Sequence, residues 1–382
     1  MSLPQYKGWL TMTNRHNSWD LRQMQSLPLE AKIQMTKMRI QVWYESWARF
    51  EIYNKETGKT RFVTMDVRDQ FAEPTLKDGE FVKSMMDGQV YVSFSGGKDS
   101  TVLKHLVDSM YKDVPAVFVN TGLEYPEIQQ FVRQIKNGEF DCFNSDVEIV
   151  RPEMRFDEVI KTYGYPVGSK ETSQKIYYSK KGSAWATKYL DPSLERNGKR
   201  SRYSISKRML PLMDAPFDVS PYCCNVMKKR PAKKYTKMTG RKPIIATMAA
   251  ESALHHQSWM KNGCNAFDST NPSSQPLSFW TEQDILEYIQ KYNVPYCSVY
   301  GDIVKQDENF QTTGCDRTGC IFCMFGCHLE KGENRFQRLK KTHPRQYEYC
   351  IGGGEMVEGK WQPNKEGLGL GKVLDYISVK YE

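Results

Sequence analysis

The stretch that most limits what this chain can become is VYVSFSGGKDS, residues 90–100. β-branched and aromatic residues run into Ser95-Gly96-Gly97-Lys98-Asp99-Ser100, and Val102, Leu103, Leu106, Val107 and Met110 follow at helical spacing. The pattern predicts a strand, a tight glycine turn and a helix. Such a turn gathers backbone N–H groups and the positive end of a helix dipole around one point, a setting for an anion such as a phosphate. Glycine leaves no Cβ between the backbone and that anion. Ser95 and Ser100 can donate to its oxygens, and Lys98 adds a point charge. Asp99 is out of place beside an anion unless a cation such as Mg²⁺ accompanies it. The loop is not GxxxxGK[ST], and Gly58-Lys59-Thr60, the other candidate for that motif, lacks its first glycine.

Further strands are expected at residues 115–120, 147–150 and 243–250, with helices to about Lys136, over 156–163 and over 279–292. Strands alternating with helices imply an α/β fold with a parallel sheet flanked by helices, and ligands in such sheets bind at the carboxyl ends of strands. Both Ser95–Ser100 and the segment Thr121-Gly122-Leu123-Glu124-Tyr125-Pro126-Glu127 fall there. Thr281 caps the helix over 279–292, with Asp284 three residues on. Ahead of the sheet lies a helical pattern over 29–50 and an excursion over 51–88, with strand-like 50–53 and 61–65 around a hairpin loop and a short helix near 81–86. The tail, 368–381, predicts another short helix. The expected organisation is an N-terminal helical extension with its hairpin excursion (1–88), a nucleotide-binding α/β domain (89–300) and a cysteine-rich C-terminal region (301–382).

The chain of 382 residues carries a net charge of +9, unevenly placed. Residues 175–242 hold 18 Lys and Arg against 4 Asp and Glu, so the remainder is net acidic. This lies in an insert, 164–242, that lacks periodicity and is expected to form loops and short helices. A basic insert in a slightly acidic chain suits an anionic partner such as nucleic acid, and equally a solvated surface. No apolar run is long enough to span a membrane, and MSLPQYKGWL lacks the charged and apolar regions of a signal peptide, so a cytoplasmic location is expected.

Ten cysteines in a chain this long are too few for a disulfide scaffold. Cys223 and Cys224 are adjacent, and Cys315, Cys320, Cys323 and Cys327 are spaced x4, x2 and x3. Two such clusters can furnish a four-thiolate site for zinc or an iron–sulfur cluster. Cys142, Cys264, Cys297 and Cys350 read as small core residues or free thiols.

The loop SFSGGKDS resembles the pyrophosphate loop of the adenine nucleotide α-hydrolase superfamily, in the form seen in the phosphoadenylyl-sulfate (PAPS) reductase family. TGLEYPE resembles that family's second motif. The resemblance implies a Rossmann-like fold and an adenine nucleotide, ATP with Mg²⁺, held by Ser95, Gly96, Gly97, Lys98, Asp99, Ser100, Thr121, Gly122 and Glu124, with Lys98 and Asp99 catalytic. Cys223-Cys224 followed by Lys228 and Pro231, then Cys320-Ile321-Phe322-Cys323, is similar to the segments of iron–sulfur adenylyl-sulfate reductases. By position it implies a [4Fe–4S] cluster, with zinc the alternative, on Cys223, Cys224, Cys320 and Cys323. Cys315 and Cys327 are then extra thiols or exchanged ligands. The resemblance runs from about Met24 to Tyr381, the 51–88 excursion apart. It is nearest to reductase-like proteins of phage and mobile elements, in which the segment 316–326 and Asn334-Arg335-Phe336 recur.

Two departures bear on activity. The C-terminus, GLGLGKVLDYISVKYE, lacks the cysteine of the reductases' Glu-Cys-Gly-Leu-His segment. Glu251-Ser252-Ala253-Leu254-His255-His256 also lacks the arginines expected there, and a protonated His255 or His256 is the available substitute. The first functional expectation is therefore ATP-dependent sulfur transfer, with a nucleic acid bound by 175–242 as acceptor and a cysteine desulfurase or thiol reductant as partner. The alternatives are a sulfonucleotide reductase using Cys315, Cys327 or Cys350, and a nucleotide- or cluster-sensing regulator without turnover.

Overall fold

The computed structural model describes residues 16–64, 74–191, 193, 195–196, 199–201 and 204–382. The readings of residues 1–10, of Met65 and of the other positions within the basic insert lie outside these. Contacts divide the chain into two compact units, each drawn from three segments. One comprises 1–118, 126–149 and 234–317, and the other 119–125, 150–233 and 318–382. The boundaries expected at 88 and 300 are not where the contacts divide, because sheet pairing joins strands far apart in the chain.

Among the described residues the strands of the first unit are β1 (Ala48–Asn54), β2 (Thr60–Thr64), β3 (Glu80–Gly88), β4 (Val90–Phe94), β5 (Ala116–Val119), β6 (Val147–Val150), β7 (Lys242–Ile245), β8 (Asn265–Ala266) and β9 (Ser273–Ser274), and a separate hairpin of β10 (Ile303–Gln306) and β11 (Asn309–Thr312). The last residues of β5 and β6 count with the other unit. A six-stranded sheet runs in the order β8-β9-β7-β4-β5-β6. β4 sits inside it, parallel to both neighbours, with Val92 opposite Ala116 and Ile244. β8 is set antiparallel, against β9. Burial on both faces explains why β4 reads as a continuous apolar run. The helix Lys98–Asp108 connects β4 to β5 and Pro126–Lys136 connects β5 to β6. Val102, Leu103, Leu106 and Val107 are wholly buried. The mostly parallel sheet flanked by helices is the expected α/β architecture.

Three local expectations are corrected. The helix over 29–50 ends at Ser46, because Ala48 and Arg49 are already paired in a sheet, opposite Gly88 and Thr64. The short helix near 81–86 is the strand β3, where Phe81 faces Tyr53 and Ser84 faces Glu51. The edge of β1 supplies a hydrogen-bond ladder, shifted in register at two places, which outweighs the weak helical pattern of EFVKSMM. The strand over 243–250 ends at Ile245, and Ala249–Glu251 is a 3-10 turn. The helix Glu282–Lys291 begins as expected, with Thr281 and Asp284 forming a capping box. Asp284 also takes both carboxylate bonds from Lys32 at 2.7 Å, fixing this helix to Leu29–Ser46.

The second unit is built around Phe156, Val159, Ile160, Tyr165, Ile176, Phe217, Phe336, Leu339 and Val373. The basic insert contributes helices Lys170–Lys180 and Ala184–Lys188 and the 3-10 segment Lys207–Asp214, in line with its lack of long-range periodicity. The tail helix is Leu370–Tyr376, and Tyr165 donates to the Leu368 carbonyl at 2.9 Å. Among the described residues no helix is long and apolar enough to cross a membrane.

Candidate phosphate loop and thiol pocket

In the first unit β4 ends at Phe94 and the chain turns through Ser95 and Gly96 into the helix that starts at Lys98. Gly96 has φ +72°, and a Cβ there would stand 2.8 Å from Ile128 Cγ2. Both the left-handed backbone and the close approach require glycine. The Ser100 hydroxyl donates to the Gly97 carbonyl (2.9 Å) and lies 2.9 Å from the Ser95 hydroxyl, so the two serines brace the turn. The backbone N–H of Lys98 donates to the Tyr300 hydroxyl at 3.1 Å.

The Lys98 side chain departs from expectation. It is 4% exposed, donates to the Asp316 carbonyl at 2.6 Å and pairs with Glu282 at 3.0 Å, beside the Tyr300 ring. Its charge is committed inside the protein and is not the free point charge on a phosphate that the motif suggests. Asp99 differs again: its Oδ1 is buried with no hydrogen-bond partner. Burial raises its pKa, opposed by Lys98 and Arg317 and reinforced by Glu251 and Glu282. A desolvated, unpaired carboxylate oxygen next to two further acids suits a cation.

Glu251 accepts from Arg317 at 2.9 Å, and His255 Nδ1 lies 3.2 Å from its other oxygen without hydrogen-bond geometry. His256 approaches Ser18. Of the two histidines proposed in place of the arginines missing from 251–256, His255 faces a carboxylate and His256 a hydroxyl. Asp316 and Arg317, which anchor Lys98 and Glu251, were visible only as neighbours of the cysteine motif.

The other candidates lie in the second unit. Thr121 donates from N–H and hydroxyl to the Glu124 carboxylate, at 3.1 and 2.6 Å. Gly122 has φ +75°. The Leu123 carbonyl accepts the N–H of Ile321 at 2.8 Å, tying this turn to the CxxC segment. Cys223, Cys224, Cys320 and Cys323 line one part-open pocket, together with Leu123, Phe156, Pro166, Met227 and Lys228. Sequence positions about 100 apart thus line one pocket. The two adjacent sulfurs stand 3.9 Å apart. After Cys224 the backbone makes a π-helical turn, Asn225–Lys229. Such turns are rare and cluster at functional sites.

The pocket is electropositive at its wall. Burial works to lower the Lys228 pKa, but Cys320, Glu124 and Cys224 outweigh it and hold the ammonium above its usual range. A hydrogen bond from Cys223, with Lys170 and Lys228 near and burial opposing, brings the Cys224 thiol down to about 6. The same bond, then burial and the neighbouring thiols, pushes Cys223 up. Burial raises Cys320 to about 11 and raises Cys323. One thiolate therefore discourages the next, as like charges in one cavity must. Arg335 donates to the Cys323 carbonyl at 3.0 Å and to Glu330 at 2.6 Å, pinning the end of the CxxC turn.

The remaining thiols divide by burial. Cys350 is fully buried and its pKa is raised by burial. Cys327 is buried, bonds to the Met324 carbonyl and is pushed up to about 12, again first by burial. Cys264 and Cys297 are buried and Cys142 is exposed. Cys315 is half-buried and belongs to the first unit.

A family model described as the phosphoadenosine phosphosulfate reductase domain matches residues 89–186 and 213–324, more than half of the chain. Two uncharacterized proteins of Methanocaldococcus jannaschii are each 21% identical to it, over 297 and 255 residues, or 72% and 67% of this chain. The match spans 45% of either relative, so the chain accounts for under half of their length. A crystal structure of phosphoadenylyl-sulfate (PAPS) reductase from Candida auris, a phosphate complex, is 14% identical. It covers 58% of this chain and 83% of its own at a TM-score of 0.32, a likeness too slight to bear on function.

Proposed function

Since the chain belongs to the phosphoadenosine phosphosulfate reductase family, whose members are enzymes, we propose that it is an ATP-dependent sulfur-transfer enzyme. The loop 95–100 receives the pyrophosphate portion of the nucleotide. The observation that carries this reading is the buried, unpartnered Asp99 Oδ1 at the start of the helix behind that loop, with Glu251 and Glu282 near. Asp99 would hold a Mg²⁺ ion there, which neutralises phosphate charge. An oxygen of the acceptor attacks the α-phosphorus as the bond to pyrophosphate breaks. A donor sulfur then displaces AMP from the activated acceptor. Backbone N–H groups and the helix dipole stabilise the charge that develops on the leaving group. Lys98 is a positioning residue in this scheme, joining the loop to Glu282 and to the Asp316 carbonyl.

Cys223, Cys224, Cys320 and Cys323 would hold a [4Fe–4S] cluster. The donor set supports this, four thiols around one cavity. Zinc on the same four thiols is the alternative. When bound, such a cluster supplies sulfur binding or electron transfer. Lys228, Lys170 and Arg335 offset the thiolate charge at its wall. A nucleic acid bound by the basic insert is the proposed acceptor, and a cysteine desulfurase or a thiol reductant the proposed source of sulfur or electrons.

The second reading, a sulfonucleotide reductase, needs a nucleophilic thiol. Cys327 and Cys350 are buried with raised pKa values, the opposite of an activated thiolate. Only Cys315 is left for that role among the three candidates.

The test is anaerobic incubation with ATP, Mg²⁺ and mixed tRNA or DNA, reading pyrophosphate. The expected result is release that depends on nucleic acid and is lost in Asp99→Ala. Sulfite from a sulfonucleotide, abolished in Cys315→Ser, with no pyrophosphate, would replace this reading by the second.

A further inference from the structure

The second unit carries 28 Lys and Arg against 17 Asp and Glu, a net +11, while the first holds 26 against 28. The excess of positive charge is therefore on the unit that bears the thiol pocket. Immediately before Cys223 stands Tyr222, the centre of a cluster of half-buried tyrosines. Its ring centre is 5.3 Å from that of Tyr163 and 5.1 Å from that of Tyr177, and Tyr177 stands 5.4 Å from Tyr178. The hydroxyls of Tyr178 and Tyr222 are 2.6 Å apart. Lys181 lies 4.4 Å from the centre of the Tyr177 ring, and Lys180 and Lys181 are both exposed. Tyrosines that only filled a core would be buried like Tyr165, at 1% exposure. These four are only partly buried, and the exposed Lys180 and Lys181 stand beside them.

We propose that the Tyr163–Tyr177–Tyr178–Tyr222 cluster, with Lys180 and Lys181, is a stacking platform for single-stranded nucleic acid at the approach to Cys223 and Cys224. Aromatic faces take bases without regard to sequence, and lysines beside them take the phosphates. A duplex keeps its base faces covered, so the platform discriminates against it. The inference deepens the nucleic-acid acceptor of the proposed function by naming the strandedness of the ligand and the side chains that receive it.

Fluorescence anisotropy of the full chain with fluorescein-labelled 20-nucleotide RNA and DNA, single-stranded and duplex, tests this. Single strands are expected to bind in a salt-dependent way and more tightly than the duplex. Tyr177→Ala should weaken binding about tenfold, the loss of one stacked base, while Tyr177→Phe retains it. Lys180→Glu with Lys181→Glu should weaken it and flatten the salt dependence. Should Tyr177→Ala fail to fold, ultraviolet cross-linking of the wild type should place the oligonucleotide on peptides holding Tyr177 and Tyr222. No binding at low salt, equal affinity for the duplex, an unaltered affinity in folded Tyr177→Ala, or cross-links only elsewhere would each overturn the platform. Pyrophosphate release from ATP and Mg²⁺ with mixed tRNA or DNA, read on the same preparations, separates the two ideas. Release without strand binding removes the platform and leaves the nucleotide reading. Binding without release does the reverse.

Discussion

The loop of the first unit and the thiol pocket of the second are built on opposite principles. The loop is local: within six consecutive residues the turn, its bracing hydroxyls and its helix start are all present, and its lysine is neutralised by Glu282 and the Asp316 carbonyl. The pocket is assembled from a residue pair and a CxxC turn about 100 positions apart, and it holds the Lys228 ammonium beside its thiols. A phosphate loop works through fixed backbone dipoles, so evolution can write it in one place. A multi-thiol site needs directions in space that one turn of chain cannot supply.

The strongest way to break this comparison is to disable each region separately. Cys320→Ser should cost the iron and broad visible absorption of the proposed cluster while ATP binding is kept. Asp99→Ala should reduce pyrophosphate release by about a thousandfold or more while iron content is unchanged. Metal analysis and a pyrophosphate assay on both variants check this, and loss of both properties in either variant would erase the separation.

Next in size is the buried ion pair of the first unit. Lys32→Met should leave Asp284 charged and unpaired beneath the capped helix, a loss of about 3–5 kcal/mol in chemical unfolding. The double variant Lys32→Met with Asp284→Leu should recover part of it, less the capping box. Gly96→Ala comes below that, at about 1–3 kcal/mol from the positive φ and the contact with Ile128, with weaker nucleotide binding. A Gly96→Ala protein that binds ATP normally would show the turn to be looser than described.

The smallest expected effect is a pH dependence on the helix behind the loop. Burial, then Lys37 and Lys112, lowers the His105 pKa, and its Nδ1 lies 2.9 Å from the Tyr288 hydroxyl. The unfolded chain binds a proton more readily than the folded one. This contribution is therefore complete above the ordinary histidine pKa and is lost as pH falls below it toward the lowered value. Melting temperatures at pH 7.5 and 5.5 should differ less in His105→Gln than in the wild type.

The sequence alone determined the strand–turn–helix around Ser95–Ser100, the alternation that makes a parallel sheet, the capped helix at Thr281 and the cysteines worth watching. Each is encoded by neighbours within a turn or two, where propensity and periodicity act directly. Tertiary structure decided the rest. The segment 81–86 is a strand because β1 offers it an edge. Lys98 is turned inward because Glu282 and Asp316, some 200 positions on, reach it first. Residues 223–224 and 320–323 share one cavity because the core between them closes. The tyrosines gather beside Cys223 for the same reason: packing, unlike propensity, depends on which distant surfaces are left to bury.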